Sequence, residues 1–175
     1  MQFIDGGVTA PKGFTANGML CKIKESSTKN DLALVFSEKL CNAAGVFTQN
    51  KVKAESVKLT KENIANGKAQ AVIANSGNAN ACTGEQGAKV ARKMASLAAD
   101  VLGINPNDVI VYSTGVIGKQ LPVEKIEKNI QTLKDGLSKE GHKEARTAIM
   151  TTDTHYKECA VQTVIGGKTV RIGAM

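Results

Sequence analysis

Gln70-Ala-Val-Ile-Ala-Asn-Ser-Gly-Asn-Ala-Asn-Ala-Cys-Thr-Gly84 passes from a short apolar run into a chain of small and amide residues, and then into the strongest helical pattern of the sequence. Gln70 to Ala74 has the length and β-branched centre of a strand. Beyond Gly84, Val90, Met94, Leu97 and Val101 recur at helical spacing with Ala91 and Ala98 beside them, and Gly103 stops the helix. Thr83 and Gln86 stand at capping-box spacing, which predicts mutual satisfaction of the first orphan amides. A strand feeding a polar loop and then an amphipathic helix points to a mixed architecture.

Downstream, Asp108 to Tyr112 reads as another strand, followed by the loop Ser113-Thr-Gly-Val-Ile-Gly118. Pro122 suits the first turn of a helix with the stripe Val123, Ile126, Ile130 and Leu133, ending near Gly136. A helix from Lys143 to Met150 leads into Thr151-Thr-Asp-Thr154. Cys159 to Ile165 and Lys168 to Ile172 flank Gly166-Gly167 as a hairpin. Upstream, the turn-rich Gly6 to Phe14 enters a short strand, and Leu32 to Phe36 and Gly45 to Thr48 are further apolar runs of strand length. Neither a repeat nor a low-complexity linker divides the chain, so residues 1–175 are expected to form a single domain. Strands joined partly by helices and partly by turns predict an α/β (α+β) fold, a layered sandwich of sheets flanked by helices.

Composition narrows the function. The 175 residues carry a net charge of +7, from 23 Lys and Arg against 16 Asp and Glu, and only 3% are aromatic. The basic residues are scattered with no long run of like charge, which describes a solvated surface. Scarce aromatics argue against a base-stacking nucleic-acid binder, so no nucleic-acid partner is expected. Cys21, Cys41, Cys82 and Cys159 lie far apart, matching neither a zinc site nor a disulfide framework; free thiols are expected. Met1 to Asp5 lacks the basic and apolar regions of a signal peptide, and no apolar stretch is long enough to span a membrane. The expected location is the cytoplasm.

Three polar loops have the residue types that chemistry needs. Asn75 to Asn80 offers backbone amides near a helix start, where negative charge is favoured, but an Asn- and Gly-rich turn bonding its own backbone explains the same residues. Thr114 and Gly115 can aim a hydroxyl and an amide at one point, as an oxyanion of acyl transfer requires, or can simply end a strand. Thr151-Thr-Asp-Thr-His155 suits contact with a polar substrate, while Asp153 suits bracing a loop. His155 has no second histidine nearby in sequence; His142 is placed on a surface helix, so neither a metal site nor a Ser-His-Asp triad is predicted.

Five stretches carry a resemblance: Gly6 to Phe14, Asn75 to Gly84, Ser113 to Gly118 with Leu121-Pro122, Met150 to Thr154, and Gly167 to Gly173. In this order and spacing the chain resembles, over essentially its whole length, the α chain of the bifunctional ornithine acetyltransferase (glutamate N-acetyltransferase) family of arginine biosynthesis, the ArgJ family. The resemblance implies a precursor that cleaves itself before a threonine. That threonine heads a β chain and serves as nucleophile, with its own α-amino group as base. Acetyl then moves from N-acetylornithine to glutamate through an acetyl-enzyme, with no cofactor; some members accept acetyl-CoA as donor. It further implies a sandwich completed by the β chain and an α2β2 heterotetramer. Thr114 and Gly115 match the family's oxyanion-hole pair, and Thr151 a substrate-contacting threonine. The family's substrate lysine and cleavage-site threonine follow the Gly173 stretch, beyond Met175, so the chain is not expected to be catalytic alone. An aminopeptidase-type relative and a non-catalytic basic binding module are the alternatives.

Overall fold

The computed structural model describes residues 1–175, with strands β1 (Gln2–Ile4), β2 (Phe14–Met19), β3 (Leu32–Asn42), β4 (Lys68–Asn75), β5 (Val109–Ser113), β6 (Cys159–Ile165) and β7 (Lys168–Ala174). The helices are α1 (Glu55–Asn63), α2 (Gly84–Leu102), α3 (Val123–Asp135) and α4 (His142–Ala148). A four-stranded sheet has the order β2-β3-β4-β5, and a three-stranded sheet the order β1-β6-β7. Mixed α/β architecture with two sheets is therefore the observed fold. No helix is long and apolar enough to cross a membrane.

The larger sheet is buried on both faces. In β3, side chains alternate in direction: Leu32 and Leu34 join a cluster with Ala71, Ile73, Val109, Val111 and the apolar stripes of α2 and α3. Ala33 and Val35 join a second cluster with Ala74 and with Ala145 and Ala148 of α4. β2, β3 and β4 pair antiparallel, but β4 and β5 run parallel, with Asn75 opposite Ser113. Parallel pairing follows from the crossover through α2. It sets the carboxyl ends of β4 and β5, and the loops leaving them, side by side.

The hairpin forms as the sequence indicates: Ile165 pairs with Lys168, and Gly166 and Gly167 take positive φ of 57° and 75°. The smaller sheet is tied to α4 by Glu158, which precedes β6. Its carboxylate lies 2.9 Å from His142 Nδ1 and accepts a bond from Arg146 Nη1 at 2.5 Å.

Several details differ from the sequence reading. Gly45 to Thr48 is not a strand; Val46 is fully exposed and β3 instead runs on to Asn42 past an irregularity between Phe36 and Cys41. No capping box forms at α2, because Thr83 Oγ1 donates to Asn80 Oδ1 at 2.8 Å and no side chain caps the helix. Pro122 lies just ahead of α3 rather than in its first turn, and α4 ends at Ala148. His142 is 3% exposed, not a surface residue, because α4 packs on β2 and β3 and the imidazole meets the buried Glu158 carboxylate.

Helix α1 has no counterpart in the sequence reading. Its buried face is largely polar, with Ser56, Thr60 and Asn63 beside Leu59, so apolar periodicity is missing. Those polar side chains cover the edge of β5. Thr60 Oγ1 donates to Val111 O at 2.8 Å and accepts from Val111 N at 3.0 Å, and Asn63 Nδ2 donates to Val109 O at 2.8 Å. Open edge groups that would otherwise seek another strand are thereby satisfied.

Asp31 anchors the segment between β2 and β3. Its buried carboxylate accepts from the Cys21 amide at 2.6 Å and the Ile23 amide at 2.7 Å. Replacing Asp31 with alanine strips two amides of their acceptor. The expected loss is about 2 kcal/mol, measured by urea denaturation, since each unsatisfied buried donor costs roughly 1–3 kcal/mol and the adjoining cavity lets water recover part of it.

Candidate active site

Thr114 and Gly115 leave β5 beside the loop that leaves β4, and the two loops are sewn together by backbone and amide bonds. The Thr114 amide donates to Asn75 O at 3.0 Å, Ala79 N to Val116 O at 2.9 Å, and Gly118 N to Ala81 O at 2.8 Å. Asn78 Nδ2 donates to the carbonyls of Lys119 and Gln120 at 3.0 and 3.2 Å. Asn75 Nδ2 donates to Asn78 O at 2.9 Å, and Asn80 Nδ2 to Gly87 O at 2.9 Å. Asn75, Asn78 and Asn80 are all buried. Their side-chain NH2 groups are thus spent on backbone carbonyls, and the loop is held as a scaffold.

What the scaffold holds is left unbonded. Neither the Thr114 hydroxyl nor the Gly115 amide has a hydrogen-bond partner within the chain. Gly115 has φ of 131°, and an added Cβ there meets Gly77 C at 2.4 Å and Asn78 N at 2.6 Å, so only glycine fits. Beneath it, the opposed strand ends carry two buried polar atoms without partners, Asn75 Oδ1 and Ser113 Oγ.

A cavity of about 530 Å³ opens on this loop. It brings Thr114 and Gly115 together with Thr151 and Thr152, which arrive from the end of α4 nearly forty positions later in the chain. Asp153 does not face the cavity; it accepts from the Thr151 amide at 3.2 Å and is joined to Lys157. The Lys157 ammonium, followed by the Thr151 amide, holds its carboxyl below the ordinary aspartate range. Bracing the loop is therefore its observed role. His155 is exposed, and no group of three or more His, Cys, Asp or Glu side chains gathers where a metal ion could be held.

Sequence reading missed the third wall of the cavity. Lys24, Ser26, Ser27, Thr28, Lys29 and Asp31 line it together with the Thr114–Gly115 loop. The signal was present in Lys22-Ile-Lys-Glu-Ser-Ser-Thr-Lys29, a lysine- and hydroxyl-rich run just before a buried strand.

The four cysteines are free. Cys21 differs from the others: burial, and then the negative charge of Asp31, push its thiol up to about 12. Cys82 and Cys159 are exposed. Alkylation with iodoacetamide at pH 8, read by mass spectrometry, is expected to label Cys82 and Cys159 and spare Cys21, because the thiolate is the nucleophile.

Comparison with known proteins agrees with this layout. The model of the ArgJ family matches residues 15–175. An arginine biosynthesis bifunctional protein ArgJ from Symbiobacterium thermophilum is 52% identical over 176 residues, covering 100% of this chain and 44% of the relative. A glutamate N-acetyltransferase from Methanocaldococcus jannaschii is 47% identical over 178 residues, covering 100% of this chain and 42% of the relative. The chain thus spans less than half the length of these curated relatives. Among solved structures, the ArgJ protein of Bacillus halodurans superposes with a TM-score of 0.91 at 41% identity, covering 97% of this chain and 88% of that one. Ornithine acetyltransferase from Mycobacterium tuberculosis, complexed with ornithine, superposes with a TM-score of 0.86 at 41% identity, covering 91% of this chain and 86% of that one.

Proposed function

The chain belongs to the ArgJ family, and from that premise we propose that it is the α chain of an acetyltransferase that moves acetyl from N-acetylornithine to glutamate. The observation that carries this reading is the meeting, in one cavity, of an unbonded hydroxyl and amide at Thr114 and Gly115 with Thr151. Acyl transfer needs this pairing: two preorganised donors for the oxyanion of a tetrahedral intermediate, beside a wall that positions the acyl donor.

In this reading the nucleophile is a threonine heading a β chain cut from the same precursor. Its α-amino group, with an ordinary pKa of about 8, takes the hydroxyl proton as the oxygen attacks the acetyl carbonyl. Negative charge develops on the carbonyl oxygen and is met by Thr114 Oγ1 and the Gly115 amide. Collapse breaks the carbonyl–nitrogen bond as the α-ammonium returns its proton to the departing ornithine nitrogen, leaving acetyl on the threonine, and the glutamate amine then reverses the sequence. Thr151 contacts the substrate. Two features support a partner chain. Met175 and Ile149 pack on the same small core cluster, and Ile149 leads directly to the cavity wall at Met150 to Thr152, so a chain continuing past Met175 starts close to the site. In addition, Phe3, Ile165 and Ile172 lie on one face of the smaller sheet and are 77%, 62% and 54% exposed. An apolar sheet face of this kind calls for a cover. Assembly as α2β2 in the cytoplasm completes the proposal.

The test is acetyl transfer from N-acetylornithine to glutamate by α and β chains expressed together, followed by loss of transfer when either chain is omitted. Peptide hydrolysis without acetyl transfer replaces this reading with the aminopeptidase-type one. Replacing N-acetylornithine with acetyl-CoA in the same assay decides whether a second donor is used.

A further inference from the structure

Lys24 stands in an unusual setting for a lysine counted among scattered surface charges. Its backbone is fixed on both sides: the Ile23 amide is held by the buried Asp31 carboxylate at 2.7 Å, and the Lys24 carbonyl accepts from the Ser27 amide at 2.8 Å. It is also stacked on the oxyanion-type loop. An added Cβ at Gly77 would meet Lys24 Cβ at 3.2 Å and Lys24 N at 3.3 Å, while Gly77 itself lies directly beneath Gly115. Lys24, Gly77 and Gly115 are therefore three successive layers, and the first is a cation.

That cation has no partner. None of the ion pairs of the chain involves Lys24, whereas the neighbouring Glu25 is taken by Lys125. Of the groups lining the cavity, Lys24 and Lys29 are positive, and the single acid, Asp31, has both oxygens committed to backbone amides. The cavity wall beside the Thr114–Gly115 loop thus presents uncompensated positive charge together with the hydroxyls of Ser26, Ser27 and Thr28. A small anionic ligand fits that chemistry.

We propose that Lys24 binds a carboxylate of the amino-acid substrate, so that it is a further substrate-binding residue of the site. This rests on the acetyl-transfer reading. Lys24 borders the same cavity as Thr114 and Gly115, so its ammonium is available to a charge a few bonds from the reacting carbonyl. The carboxylates of an acylated amino acid or of glutamate lie at that range. The phosphates of an acyl thioester sit at the far end of a long pantetheine arm and do not. A fixed backbone beneath the ammonium reduces the ordering cost of the contact.

The experiment compares wild-type α/β enzyme with Lys24→Gln and Lys24→Arg. Lys24→Gln is expected to raise KM about 10–100-fold, the range for losing a charge-assisted hydrogen bond, with kcat little changed and an unaltered circular dichroism spectrum. Lys24→Arg should restore most of the affinity. With carboxamide analogues, wild type should lose the same factor and Lys24→Gln should lose nothing more. A rise in KM for both N-acetylornithine and glutamate identifies the α-carboxylate they share; a rise for glutamate alone identifies its side-chain carboxylate. Unchanged KM, or an equal penalty on carboxylate and carboxamide substrates, overturns the proposal. If wild type transfers no acetyl at all, the functional reading is what fails. Calorimetric titration of glutamate into wild type and Lys24→Gln then still tests the carboxylate contact directly, equal affinities overturning it.

Discussion

Replacing Thr114 with alanine in the complete enzyme is expected to lower kcat by about 10²–10³-fold while KM and thermal stability stay near wild type. The magnitude is that of a single oxyanion donor removed from a water-poor site. Its selectivity for kcat follows from the geometry: the Thr114 hydroxyl bonds to nothing in the resting chain, so its removal orphans no protein group and costs the fold little. A donor used only when charge develops on the substrate acts on the transition state and not on ground-state binding. Thr114→Ser, which retains the hydroxyl, should keep most of the activity. Equal kcat for wild type and Thr114→Ala would return Ser113-Thr-Gly115 to a plain strand-ending turn.

Gly115→Ala is expected to be at least as damaging, for a different reason. The alanine Cβ would have to sit 2.4 Å from Gly77 C and 2.6 Å from Asn78 N, at φ of 131°. Neither neighbour is a flexible side-chain end; both are backbone, and Asn78 is pinned through its own side chain to Lys119 and Gln120. The loop must therefore move, and the Gly115 amide with it, so turnover should fall by at least about 10²-fold. Unlike Thr114→Ala, this variant should also lose some stability, because a residue with a Cβ is strained in that region of φ. A scan of melting temperature beside the kinetic assay separates the two. Two variants at adjacent residues thus report separately on the hydroxyl and on the backbone that carries the amide.

Much of the fold is legible in the sequence. The α2 stripe, the strands around Ile73 and Val111, the glycine turn of the hairpin and the helix stop at Gly103 all rest on local periodicity or backbone freedom, which neighbouring residues encode directly. The structure departs from the local pattern where that pattern has two outcomes. Gly45 to Thr48 has the apolar content of a strand but no partner edge to bond. Thr83 has the spacing of a capping box, yet its hydroxyl goes to Asn80, whose side chain the α2 backbone already holds. Helix α1 was invisible because its buried face is polar and is read by the edge of β5, a strand some fifty residues away.

The sequence by itself determined the mixed α/β class, the existence of three polar loops and, through the order of its motifs, the family to which the chain belongs. It did not determine which of those loops meet. That was decided by the parallel pairing of β4 and β5, which sets Asn75 opposite Ser113, and by α4, which delivers Thr151 to the same cavity. The physical reason is that hydrogen-bonding capacity is a local property of a residue, whereas whether it is spent on backbone or left free depends on distant partners. Asn75, Asn78 and Asn80 look as reactive in the sequence as Thr114, and Lys24 looks like any surface lysine. Only the tertiary structure shows the asparagine NH2 groups spent on backbone carbonyls and leaves the Thr114 hydroxyl, the Gly115 amide and the Lys24 ammonium without partners within the chain.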